Sequence, residues 1–268
     1  MIFCSLNYQK ITHISPQERG FAYGDGHFTT AKISGGIVEY LDDHIARLKT
    51  GNAALMLGEV DWPELTHYMK KTASAYQQAV LKVVITSGEA GRGYARKACS
   101  PLNIYVFVFD FPEHYANWRQ NGIDSGLARF RLGLNPALAG IKHLNRIEQV
   151  MIRQELDSRN EQELIVADIN HHIIEASCAN VFWLKGSEWM TPDLSNAGVK
   201  GILREHILAL FPDIKQVSKM SAELHNIRAM FICNAVMGIV PVIRYEEQSL
   251  ERLPVEAIIE RYETYDKH

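Results

Sequence analysis

The chain has 268 residues, 47% apolar and 22% charged, which is enough for one large core or two domains. A net charge of −3 and a pI near 6.4 leave no basic footprint for nucleic acid, although a locally positive pocket can still receive an anion. Cys4, Cys99, Cys178 and Cys233 are scattered, with no CxxC pair and no metal-ligand spacing, so they read as reduced thiols and no metal is expected.

The N-terminus lacks the apolar core of a signal peptide. No apolar run approaches the roughly 20 residues of a membrane span. A soluble, cytoplasmic protein without a membrane partner is the expectation.

In chain order, "MIFCSLNYQ" and "HFTTAKISGGIVEYL" read as extended, with "SGG" as a turn in the second stretch. "LDDHIARLKTGNAALMLG" carries Ile45, Leu48 and Leu55 at helical spacing, with Asp42 or Asp43 as a cap. "WPELTHYMKKTASAYQQ" is a second helix with Pro63 in its first turn. "AVLKVVITSG" and "LNIYVFVFDF" are β-branched and aromatic, the composition of buried strands.

"PEHYANWRQNG" interrupts this pattern from Pro112. The expected division is a small N-terminal domain at 1–112, a linker at 113–122 and a larger C-terminal domain at 123–268. The second part opens on a strand, "GLARFRLGL", then a lysine-bearing stretch and a helix, "NRIEQVMIRQELDS". "QELIVADINHHIIEAS" and "NVFWLKGSEWMTPD" are extended, "GILREHILALF" is a helix, and "EAIIERYETYD" closes the chain as a helix. Strands outnumber helices and do not alternate with them, which argues for an α+β chain.

Lys142 lies in "AGIKHLNRIEQV", where extended chain gives way to a helix. On its own it reads as a solvated charge. In an enclosed, partly apolar site its pKa falls from about 10.4, and the free amine can form a Schiff base. Glu175 ends an extended run; it is either an edge residue or a partner for a pyridinium nitrogen. In "AGVKGILREHI", Gly198 and Gly201 precede a helix whose first-turn N–H groups, those of Ile202 and Leu203, can receive a phosphate. A tight turn feeding a surface helix is the plainer alternative. Arg47 either clamps the same phosphate bidentately or faces water.

One explanation covers all four: a phosphorylated aldehyde held at both ends. "ERGFAYGDGHFTTAKI", "HIARL", "GIKHLNR", "EASCANVFW", "GVKGILRE" and "ICNAVMGIVPV" resemble the fold-type-IV pyridoxal-phosphate enzymes along nearly the whole chain. That family includes branched-chain and D-amino-acid aminotransferases. The resemblance implies two domains, a small N-terminal α/β domain and a larger, β-barrel-like C-terminal domain with helices that binds the cofactor.

It also implies that Lys142 is the Schiff-base lysine and Glu175 the partner of the pyridine nitrogen. Arg47, Gly201, Ile202 and Leu203 fall on the phosphate side, with Asn234 and Ala235 in a second phosphate-side loop. "YGDGHFTT", "AGIKHLNR" and "CNA" are similar to the family's lyase members, because its transaminases carry a Thr-rich loop where this chain has Asn234 and Ala235. Thr30 then becomes a lyase-side substrate contact. "GRGY" places Arg92 and Tyr94 where related enzymes hold a substrate carboxylate, with a solvated loop as the alternative for Arg92. His27 and His143 read as structural or rim residues. A homodimer is implied as well. An aminotransferase, or a pyridoxal-phosphate binding protein without catalysis, remains as an alternative.

Overall fold

The structure is a computed structural model, described here for residues 1–89, 93–96 and 101–266. The chain forms two compact units. The first comprises Met1–Pro112 with Ile141–Asn145, and the second Glu113–Gly140 with Arg146–His268.

In the first unit the elements run β1 (Phe3–Leu6), β2 (Gln9–Lys10), α1 (Arg19–Tyr23), β3 (Gly26–Ser34), β4 (Ile37–Val38), α2 (Leu41–Ala54), α3 (Trp62–Ala73), β5 (Gln78–Thr86) and β6 (Asn103–Phe109). The six strands form one antiparallel sheet in the order β2-β1-β6-β5-β3-β4. Strand alternation sends Ala31, Ile33, Leu81, Val83 and Ile85 to one face, where Leu48 of α2 and Leu65 and Met69 of α3 cover them. Asp42 and Asp43 do not cap α2. The cap is Tyr40, in a left-handed conformation and without a side-chain bond, and the two aspartates sit in the first turn, where they complement the helix dipole. Asp61 does cap α3, accepting from the Glu64 N–H at 2.9 Å, with Pro63 in the first turn.

The second unit contains α4 (His114–Asn121), β7 (Ile123–Leu132), α5 (Ile147–Leu156), β8 (Glu163–Asp168), β9 (Ile173–Ala176), β10 (Asn180–Lys185), β11 (Glu188–Pro192), α6 (Ile202–Leu210), β12 (Lys215–Val217), β13 (Ala229–Asn234), β14 (Gly238–Tyr245), β15 (Gln248–Ser249) and α7 (Leu253–Asp266). Its nine-stranded sheet follows β12-β11-β10-β13-β14-β7-β8-β9, with β15 on β14, and mixes parallel and antiparallel pairs. Both faces of the central strands are buried. Val181, Trp183, Met230 and Ile232 enter one core, and Phe182, Leu184, Phe231 and Cys233 enter another beneath α6 and α7. That explains why β10 and β13 read as continuous apolar runs rather than alternating ones.

Residues 113–122, expected as a linker, contain α4 and group with the second unit. Tyr115 and Trp118 pack on its core, and Arg119 donates to the Met237 carbonyl at 3.0 Å. Among the described residues no helix is long and apolar enough to cross a membrane.

Candidate active site

Lys142 belongs to a five-residue segment that joins the first unit although the chain on either side belongs to the second. The segment lies beside the start of β3. The Phe28 N–H donates to the Lys142 carbonyl and the Leu144 N–H to the Gly26 carbonyl, each at 2.9 Å, so His143 pairs with His27. Two main-chain bonds therefore fix the backbone of Lys142 whatever its side chain does. The side chain is half-buried, and its Nζ stands 4.8 Å from the centre of the Phe28 ring.

Alternation along β3 separates two sets of groups. Phe28 and Thr30 share one face. Thr29 points the other way, and its Oγ1 lies 2.5 Å from Nδ1 of His44 on α2. His44 has no exposure, and its Nε2 has no hydrogen-bond partner among the described residues. Arg47, one turn further along α2, and Lys142 both act electrostatically on this imidazole. A buried orphan nitrogen beside two cations is an environment that an anion such as a phosphate satisfies.

Burial, reinforced by Arg47 and Lys142, pushes His44 down to about 3, and burial pushes His27 down to about 4 against a weaker opposing bond from Asn52. Both folded values lie below the ordinary 6.5, so the unfolded chain takes up protons first. Their contribution to stability is complete above pH 6.5. It falls as pH drops from 6.5 towards 4 for His27 and towards 3 for His44, by about 1.4 kcal/mol per pH unit for each group. Urea unfolding at pH 7.5 and 5.5 should differ by on the order of 2 kcal/mol. A flat urea midpoint across that interval would show that neither imidazole is held neutral.

In the second unit Glu175 lies on β9, 6% exposed, and its Oε2 accepts from the Val199 N–H at 2.9 Å. Gly198 precedes Val199 at φ +82°, and a Cβ there would stand 2.7 Å from Ile174 and 3.3 Å from the Glu175 carboxylate. Only glycine fits both that backbone and that space. On the other side of the same loop, Asn180 donates from Nδ2 to the Val199 carbonyl at 2.9 Å. The Gly201 Cα meets Asn180 Oδ1 so closely that a Cβ would overlap it. Gly201 caps α6 without a side-chain bond, and the side chains of Ile202 and Leu203 are buried, which leaves only their backbone to serve a ligand.

The residues on either side of the lysine segment, Gly140 and Arg146, belong to the second unit and interact with this loop and its neighbourhood. The Gly140 N–H donates to Gly198 and the Lys200 N–H to Gly140, on either side of Val199. Arg146, whose pKa burial lowers, is held charged by Glu175 and Glu148. Arg146 closes the "GIKHLNR" stretch, and nothing in the sequence there marks its burial.

The remaining candidates differ in what they offer. The Asn234 side chain is committed to its own turn: Oδ1 accepts from the Val236 and Met237 N–H groups, and Nδ2 donates to the Cys178 carbonyl. It shapes the loop that carries Ala235. Tyr94 is 88% exposed and meets Tyr23 edge-on, and its carbonyl accepts from Arg19. Arg19 and Arg96 share the carboxylate of Asp25, which hydrogen bonds from Arg96, Ser87 and Arg19 hold well below the usual range despite burial. Arg92 lies outside the described residues. His27 is a core residue and not a rim one, since its ring fills the space that a Cβ at Gly51 would take. His44, Arg146 and Asp25 were missed from sequence. Their signal is burial of a charged or polar group, which a sequence does not print.

Comparison with known proteins places the chain in a family. The model of the family "Amino-transferase class IV" matches residues 26–245. The chain is 31% identical to an aminodeoxychorismate lyase of Vibrio harveyi, over 86% of this chain and 87% of that one. It is 26% identical to a D-alanine aminotransferase of Bacillus licheniformis, over 87% and 83%. The crystal structure of a 4-amino-4-deoxychorismate lyase from Pseudomonas aeruginosa superposes with a TM-score of 0.90 at 28% identity, covering 98% of this chain and 99% of that one.

Proposed function

The chain belongs to the class IV aminotransferase family, with its fold-type-IV α+β architecture, and we propose that within it the protein is a lyase. The reaction would split 4-amino-4-deoxychorismate into 4-aminobenzoate and pyruvate. The cofactor of the family is pyridoxal phosphate.

Bound pyridoxal phosphate supplies an electron sink that acidifies the C–H beside a substrate amine. Within the first unit, the orphan His44 nitrogen beside Arg47 is a setting that the anionic phosphate of such a group satisfies. In this reading Lys142 would hold the cofactor's aldehyde through its side-chain amine. Arg47 and the Ile202 and Leu203 N–H groups would hold the phosphate, on a frame built by Gly201, Asn234 and Ala235. Glu175 would serve as the partner of the ring nitrogen.

Lys142 then takes the C4 proton through its neutral amine. The C3–O bond breaks, and its electron pair leaves with the enolpyruvyl oxygen. Protonation of that fragment gives pyruvate, and the ring becomes aromatic. No oxidant and no amino acceptor enters the balance. Thr30, on the Phe28 face of β3, orients the leaving group, and Tyr94 and Arg92 belong to the substrate side.

The observation that carries the reading is Lys142: a half-buried amine over Phe28, on a backbone pinned to β3 by two main-chain bonds. A small-molecule substrate, a cytoplasmic homodimer and supply by an aminodeoxychorismate synthase complete the proposal.

The test is a coupled assay on enzymatically made aminodeoxychorismate. We expect pyruvate and 4-aminobenzoate in equal amounts. Amino transfer from D-alanine or a branched-chain amino acid to 2-oxoglutarate, with neither pyruvate nor 4-aminobenzoate formed from aminodeoxychorismate, would make the protein a transaminase. Colour without turnover on any of these would make it a binding protein.

A further inference from the structure

The face of the first unit's sheet turned away from α2 and α3 borders a cavity of 680 Å³, lined among others by Cys4, Glu18, Lys82, Val84, Tyr105 and Phe107. Lys82 sits at its edge in a fixed register, opposite Thr30 on β3 and Phe107 on β6. Its Nζ stands 4.6 Å from the centre of the Phe28 ring, the same ring that Lys142 overlies.

Lys82 is half-buried, and no ion pair joins it to a carboxylate among the described residues. Glu18, the acid in the cavity wall, is already engaged. It accepts from the Tyr105 hydroxyl at 2.6 Å, Asn103 Nδ2 at 2.7 Å and the Gly20 N–H at 2.8 Å. Burial pushes the Lys82 amine down, and no neighbouring acid opposes that shift. A half-desolvated ammonium over an aromatic face, with no counter-charge, is an unfilled place for an anion.

The two amines lie within 5 Å of one ring centre, so they are no more than 10 Å apart. That upper limit leaves room for one small molecule to reach both amines. In the substrate proposed above, the reacting amine and the ring carboxylate are para to each other. A molecule whose amine is at Lys142 therefore offers its carboxylate end to Lys82.

We propose that Lys82 binds the ring carboxylate of the substrate and so selects amino acids of this cyclic type; the proposal rests on the lyase reading. Phe28 is the ring that both amines approach, and Thr30 is the cross-strand neighbour of Lys82 on the same face.

The experiment compares 4-aminobenzoate with aniline, which lacks the carboxylate, as ligands of the holoenzyme, followed by calorimetry. The wild type should prefer 4-aminobenzoate by about 10- to 100-fold, the range of a hydrogen bond between charged groups. Lys82→Met should bring that preference close to unity. It should also raise KM for aminodeoxychorismate while kcat stays within a few-fold and the visible absorbance of the cofactor is kept. Lys82→Gln carries the same comparison if the Met variant does not fold. A preference that survives in these variants, or is absent from the wild type, overturns the assignment. Loss of the preference in a protein that never releases pyruvate would leave Lys82 as a carboxylate site and remove the lyase reading instead.

Discussion

Lys142→Ala is expected to lower pyruvate release by about 10³-fold or more and to remove the visible absorbance of the bound cofactor. General base catalysis alone accounts for roughly 10²- to 10⁴-fold, and the same amine also anchors the aldehyde. The fold should survive, because the bonds that fix residue 142 run through its main chain: its carbonyl accepts from Phe28, and the neighbouring Leu144 N–H donates to Gly26. An independent readout comes from His44. Lys142 is one of the two charges that, after burial, depress this imidazole. Removing the ammonium should raise the His44 pKa in the apoprotein, measurable by NMR. A variant that keeps its colour and turnover would take the chemistry away from this residue altogether.

The strands and helices that bury one clear face were legible in the sequence. β5 and β6 show β-branched and aromatic composition, and α3 shows an aspartate cap with proline in its first turn. The linker expectation shows the limit. "EHYANWRQNG" carries no long apolar stripe, yet Tyr115 and Trp118, three residues apart, are enough to seat α4 on the core. The lysine segment was hidden for another reason. Its membership of the first unit depends on pairing with β3, more than a hundred residues earlier, and local pattern does not encode such pairing.

The candidate site divides in the same way. Lys142, Glu175 and the Gly198–Leu203 turn, each ambiguous alone, stood out through the resemblance of the motifs around them to a known family. Lys82, His44 and Arg146 became visible only once burial and the absence or presence of a counter-charge could be read. The sheet register then explains why Thr29 and Thr30, adjacent in sequence, have unrelated settings: one beside His44 under α2, the other opposite Lys82 on the far face.

Glu175→Gln should reduce turnover by on the order of 10²-fold, the scale of losing one preorganised electrostatic partner, while much of the cofactor stays bound. The amide is nearly isosteric, and its oxygen can still accept from the Val199 N–H, so the loop ahead of α6 keeps its shape. What disappears is the negative charge. In the wild type one carboxylate oxygen takes a backbone N–H, and Glu175 acts on Arg146 so as to favour the charged form of its guanidinium. A neutral amide no longer favours a proton on the ring nitrogen, so the electron sink weakens although the geometry is preserved. The loss should therefore appear in kcat and in the cofactor's spectrum, with KM little changed. Glu175→Asp offers the complementary check, since it keeps the charge but shortens the reach, and it should recover part of the activity. Full turnover in the Gln variant, with an unchanged spectrum, would mean that Glu175 serves only to hold Val199 in place.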